Sequence, residues 1–120
     1  MTQASDSLVV DLASVRMGDV ASVGGKSASL GEMISQLGAA GVRVPGGFAT
    51  TANAYREFLS QNGLDKRIAD RLATLDPDDV KALAEAGKEI RDWILAQPLP
   101  GPLQREIAAS YDKLTAGAGA

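Results

Sequence analysis

Two glycines, a lysine and a hydroxyl residue run straight into an apolar helical pattern over residues 23–33, VGGKSASLGEM. That order of residue types suits a phosphate. Glycines let backbone approach a ligand closely, and a helix N-terminus presents N–H groups and the positive end of its dipole to an anion. Lys26 adds a mobile positive charge beside both. A Walker A loop, G-x-x-x-x-G-K-[ST], would need glycine at position 20, which is Val20, with Gly18 two places too early. The G-x-G-x-x-G dinucleotide fingerprint is absent as well. On spacing alone, a plain turn with a solvated lysine is the competing account.

Other residues invite chemistry more weakly. Glu32 is a single carboxylate on an amphipathic helix, the usual place for a solvated or capping group. Asp78 and Asp79 have the look of a metal pair, but they stand where the start of a helix favours acids. Arg43 is a surface charge or a phosphate contact, and Trp93 lies beside the apolar stripe of a long helix, a place for packing. With no histidine and no cysteine among 120 residues, the chain lacks the commonest general base, the commonest metal ligand and any thiolate.

The elements that must carry these residues follow from periodicity. Residues 8–12 are β-prone, and residues 17–25, with three glycines, read as a loop with room for one helical turn around Asp19-Val20. Leu30, Met33, Ile34 and Leu37 form one helical stripe, with Ser27 expected as its cap and Gly41 as its stop. Residues 42–44 and 48–50 read as short strands around Pro45-Gly46-Gly47. Thr51 is placed to cap a helix with Tyr55, Phe58 and Leu59 on its apolar face, ending at Asn62-Gly63. Leu64, Ile68, Leu72 and Leu75 mark a third helix. Asp76-Pro77-Asp78-Asp79 opens a fourth with capping acids and an early proline, expected to reach about Ala96. After the rigid Pro98-Leu99-Pro100-Gly101-Pro102 break, Leu103, Ile107, Tyr111 and Leu114 mark the last. The expected fold is therefore α+β: helix-rich, with a small sheet from residues 8–12, 42–44 and 48–50.

Composition narrows the classes. At 45% hydrophobic and 22% charged residues, the chain falls with ordinary globular domains. A net charge of −3 without a basic stripe argues against nucleic acid as a partner. No apolar run approaches the length of a membrane span, and the N-terminus lacks the pattern of a secretory leader. The expected location is the cytoplasm.

The run VGGKSASLGEMISQLGAAGVRVPGGFATTANAYREF, residues 23–58, closely resembles the opening of the phosphoenolpyruvate synthase and pyruvate, phosphate dikinase family, which also holds rifampicin phosphotransferase. The shared pattern is GGK-x-A-x-L-x-E-[ML] followed by V-P-x-G-F: here Gly24-Gly25-Lys26, Ala28, Leu30 and Glu32-Met33, then Val44-Pro45, Gly47 and Phe48. The continuation from Ala49 to Tyr55, Asp79-Val80 and the stretch from Ile90 to Ile94 are similar to the synthase branch. The resemblance implies the N-terminal part of an ATP-grasp-like nucleotide-binding domain over residues 8–115, with a disordered residues 1–7 and a truncated linker at 116–120. It implies ATP as ligand, its phosphates contacted by Lys26 with Gly24 and Gly25 as the approaching backbone. It places pyruvate, the acceptor histidine, a V-R-S-S-A segment and the Mg²⁺ ligands in regions outside this chain, so that the chain alone is expected to be catalytically incompetent. The other dikinase branches, or a non-catalytic helical adaptor, are the alternatives.

Overall fold

The computed structural model describes residues 7–117. The expected N-terminal disorder and the end of the expected linker, residues 1–6 and 118–120, lie outside them. In chain order come strand β1 (Val9–Asp11), two 3-10 turns (Leu12–Ser14 and Met17–Asp19), helix α1 (Val20–Ala39), strand β2 (Phe48–Thr50), helix α2 (Ala52–Ser60), a 3-10 turn (Gln61–Gly63), α3 (Leu64–Ala73), α4 (Val80–Ala96) and α5 (Gly101–Gly117). The fold is helix-rich α+β, as expected. The chain divides into two compact units: residues up to Arg56 together with those from Gly101, and Glu57–Pro100.

In the first unit β1 and β2 pair antiparallel, Val9 opposite Thr50, Val10 opposite Ala49 and Asp11 opposite Phe48. The expected strand at 42–44 does not form; its first N–H is spent closing α1 and the segment runs irregularly to the turn. Val42 N–H donates to the Leu37 carbonyl (2.8 Å) and Gly41 N–H to Gly38 (3.1 Å), closing α1 with a left-handed Gly41 at φ +86°. Pro45 has no N–H to give, and the Gly47 carbonyl accepts from Leu12 N–H at 2.9 Å.

Thr51 ties sheet to helix. Its hydroxyl caps α2 by accepting from Ala54 N–H (3.2 Å) and donates to the Ser7 carbonyl, while its own N–H donates to Leu8 at 3.0 Å. It is buried at 3% exposure, so all of its polar atoms need these partners. Leu8, Ala54 and Leu103 form the apolar centre here, with Val9 and Ile107 packed against it.

α1 sits differently from its apolar stripe. Its buried residues are Ala28 and Gly31, whereas Met33 and Leu37 stay 46% and 37% exposed. Small side chains let the helix lie directly on residues 12–15, where Val15 is wholly buried. A β-carbon on Gly31 would stand 2.3 Å from the Val15 carbonyl oxygen and 2.6 Å from that of Leu12.

In the second unit α4 begins at Val80, capped by Asp79, whose carboxylate accepts from Ala82 N–H at 3.1 Å. Asp76, the first acid of the expected capping run, instead accepts from Asp78 N–H (3.0 Å) within the preceding turn. The Gln97 side chain donates to the Phe58 and Gln61 carbonyls at 3.3 and 2.9 Å. Gln61 in turn donates to Pro98 at 3.0 Å, closing the unit around buried Phe58, Leu64 and Ala86. α5 continues through Gly117, so residues 116 and 117 are helical rather than linker.

Candidate glycine–lysine phosphate site

Residues 17–25, expected as a loop, fold as the Met17–Asp19 3-10 turn followed directly by helix. The helical path breaks at Gly24, whose φ of +83° and ψ of 165° belong to no helix. Only glycine adopts that geometry without strain. Past the break a second helical run opens at Gly25, Lys26 and Ser27. The first N–H groups of such a run have no carbonyl one turn back in helical register. Ser27 lies inside the helix, because Gly24 rather than a side-chain cap ends the preceding path.

The surroundings are open. A β-carbon at Gly24 or Gly25 would meet nothing within 4 Å. Lys26 is exposed, and its side chain takes part in no hydrogen bond or ion pair among the described residues. A helical run reopening after Gly24, a side-chain-free approach and an unpaired ammonium fit a phosphate. They can bind and orient one and neutralise its charge. One lysine cannot carry a phosphoryl transfer, which needs several charges converging on the phosphate and an acceptor.

The remaining candidates fall elsewhere. Arg43 is exposed in the irregular segment before the turn at Pro45. Asp79 is a cap, and Asp78 is exposed in the turn before it. Trp93 stacks under the Arg67 guanidinium, 3.9 Å from ring centre to Cζ. Among the described residues no group of three or more acids could hold a metal ion. A cavity of the first unit, about 730 Å³, is lined by the turn from Pro45 to Phe48 with Asp11, Ala13, Ser110, Lys113 and Leu114. Gly24, Gly25 and Lys26 are not among its walls.

Glu32 touches a neighbour that sequence reasoning passed over. Arg16 Nε stands 3.8 Å from Glu32 Oε2, an ion pair too long for a hydrogen bond, and that oxygen is buried without a hydrogen-bond partner. The same guanidinium donates through Nη1 to the carbonyls of Ala13 and Val15, both at 2.8 Å. Asp19 N–H donates to the Arg16 carbonyl and the Asp19 carboxylate accepts from Arg16 N–H, each at 2.9 Å. No sequence spacing marks Arg16, whereas Asp19 two residues after Met17 is at least a plausible turn acid.

A helix broken at glycine beside an exposed lysine is the local arrangement to set against known proteins. The family model described as "pyruvate phosphate dikinase, AMP/ATP-binding domain" matches residues 20–120, and the chain belongs to that family. The chain is 59% identical over 115 residues to the phosphoenolpyruvate synthase of Neisseria meningitidis serogroup B, covering 96% of this chain and 14% of that protein. It is 54% identical over 109 residues to the Pseudomonas aeruginosa phosphoenolpyruvate synthase, covering 91% and 14%. To the Escherichia coli K12 phosphoenolpyruvate synthase it is 48% identical over 112 residues, covering 93% and 14%. The chain thus spans 14% of the length of these relatives. No helix of the described residues is long and apolar enough to cross a membrane.

Proposed function

We propose that this chain supplies the glycine–lysine phosphate contact of a phosphoenolpyruvate-forming dikinase. The complete reaction converts ATP, pyruvate and water to phosphoenolpyruvate, AMP and phosphate through a phosphohistidine, in the cytoplasm and in the gluconeogenic direction. The observation that carries the reading is the break at Gly24, with open space at Gly24 and Gly25. The names of the relatives favour this branch over the phosphate dikinase and rifampicin branches, and over an adaptor.

In this reading the Gly25 and Lys26 amides point at the β- and γ-phosphates of ATP, and Gly24 keeps the approach free of side chains. The Lys26 ammonium takes up charge as the phosphoryl group leaves. The acceptor histidine belongs to the rest of the larger protein, since this sequence has none. Mg²⁺, the family's metal, would screen phosphate charge. In this reading its ligands lie in the rest of the larger protein. Pyruvate binds through other domains.

The test is Lys26→Ala in the full-length enzyme. Losing one charge-stabilising donor costs roughly 3–4 kcal/mol of barrier, a factor of about 10²–10³. ATP-dependent labelling of the histidine falls by that factor, while labelling from phosphoenolpyruvate, which does not use this site, persists. An equal fall in both half-reactions, or an unfolded variant, would make Lys26 a structural residue.

A further inference from the structure

A glycine in open space cannot fix its own bend. Nothing lies within 4 Å of the position a β-carbon would take on Gly24, so the angle at which the helix resumes must be set on either side. Upstream stands the Met17–Asp19 turn, and downstream the part of α1 carrying Gly31 and Glu32. One residue reaches both, through hydrogen bonds on one side and an ion pair on the other. Arg16 N–H donates to the Asp19 carboxylate and the Arg16 carbonyl accepts from Asp19 N–H, so it closes the turn that leads into α1. Its guanidinium is held to the carbonyls of Ala13 and Val15, with Nε toward Glu32 beyond the break. Ala13 and Val15 belong to the segment on which Gly31 rests.

We propose that Arg16 is a positioning residue for the glycine–lysine segment: it locks the bend at Gly24 and so sets where the Gly25 and Lys26 amides and the Lys26 ammonium point. The proposal rests on reading that segment as a phosphate site. Arginine suits the task because its planar fork serves carbonyls and a carboxylate at once, which a lysine's single ammonium does not. Locking the bend before the ligand arrives removes an ordering cost from binding. The side chains of Arg16 and Glu32 are 45% and 36% exposed, so the pair contributes little to overall stability. Its effect is local and directional.

The experiment uses the isotope-labelled 120-residue chain, with Arg16→Ala and Arg16→Lys, followed by amide NMR, thermal melting and ATP titration. In Arg16→Ala the signals of Gly24, Gly25 and Lys26 shift more than those of α5, their exchange with solvent quickens, and the melting temperature hardly moves. ATP-induced shifts at these amides then need roughly three- to tenfold more ATP, and Arg16→Lys falls between. Unmoved signals at residues 24–26 overturn the proposal. So does a uniform shift of all signals with a lowered melting temperature, the mark of a merely structural role. If Arg16→Ala does not fold, Glu32→Gln decides. That variant removes only the far end of the bridge, and the proposal stands if residues 24–26 shift and falls if they do not. A wild-type chain that shows no ATP-induced shift counts against the phosphate reading itself, while the ligand-free signals still judge Arg16.

Discussion

Gly31→Ala adds one methyl group where α1 lies directly on residues 12–15. On an isolated helix the change would stabilise, since alanine is favoured over glycine by about 1 kcal/mol. Here the new carbon would lie 2.3 Å from the Val15 oxygen and 2.6 Å from both the Leu12 oxygen and Val15 Cγ2. Ordinary non-bonded separations are about 3.5 Å or more, so α1 must retreat by roughly 1 Å. Two of the three obstacles are backbone oxygens, which cannot rotate aside as a side-chain tip can. Overpacking of this kind costs about 1–3 kcal/mol, which exceeds the propensity gain over most of that range. Gly38→Ala is the control: it lies on the same helix with nothing within 4 Å, so it gains up to ~1 kcal/mol. Melting followed by the helical circular dichroism signal should move the two variants in opposite directions, about 4 °C or more for each kcal/mol. A Gly31→Ala protein as stable as the wild type would refute the close approach of α1 to residues 12–15.

Thr51→Val keeps the shape but leaves Ala54 N–H and the Ser7 carbonyl without their partner; denaturant unfolding should show a loss of about 1–3 kcal/mol, and Thr51→Ser should recover most of it. Asp79→Ala should cost about 1 kcal/mol through its lost helix cap, while Asp78→Ala changes stability little; melting curves of both, with and without Mg²⁺, separate a cap from a metal pair. The 120-residue chain alone should hydrolyse ATP no faster than buffer in a phosphate-release assay. Turnover abolished by Lys26→Ala would contradict that expectation.

The sequence made the helices legible where capping chemistry was local and strong. The acids and proline from Asp76 to Asp79 announce α4, and only the choice of acid shifts: Asp76 is drawn to Asp78 N–H, which leaves Asp79 to cap. Thr51 and Gly41 likewise act where their residue types place them. The strand at 42–44 misleads because alternation of Val42, Arg43 and Val44 says nothing about where their backbone groups are spent. The burial of α1 misleads for a related reason. Hydrophobic periodicity counts carbon and points to Leu30, Met33 and Leu37, whereas the contact depends on the absence of carbon at Ala28 and Gly31. That pair of small residues, three apart, was the available signal. Of the candidate site, the residue types of the glycine–lysine stretch were readable and its resemblance to a family sharpened them. The form it takes, a helix broken in its course rather than a loop before a helix, was not: one helical turn is legible around Asp19-Val20, but Ala21 and Ser22 give no sign that it runs on into the glycines.

The stacking of Trp93 under Arg67 equips the protein with a built-in optical probe. Trp93 is the sole tryptophan of the sequence, and its ring lies in the second unit with a cation 3.9 Å from its centre. Its emission therefore registers the α3–α4 pair of that unit. Far-ultraviolet dichroism, in contrast, sums the helices of both units. Followed side by side during heating, the two signals ask whether the units melt as one body. A variant such as Gly31→Ala, which strikes only the first unit, leaves the tryptophan transition in place and pulls the dichroism transition below it if the units unfold independently; if they unfold together, both curves move by the same amount. One indole thus turns a question of cooperativity into a comparison of two colours of light.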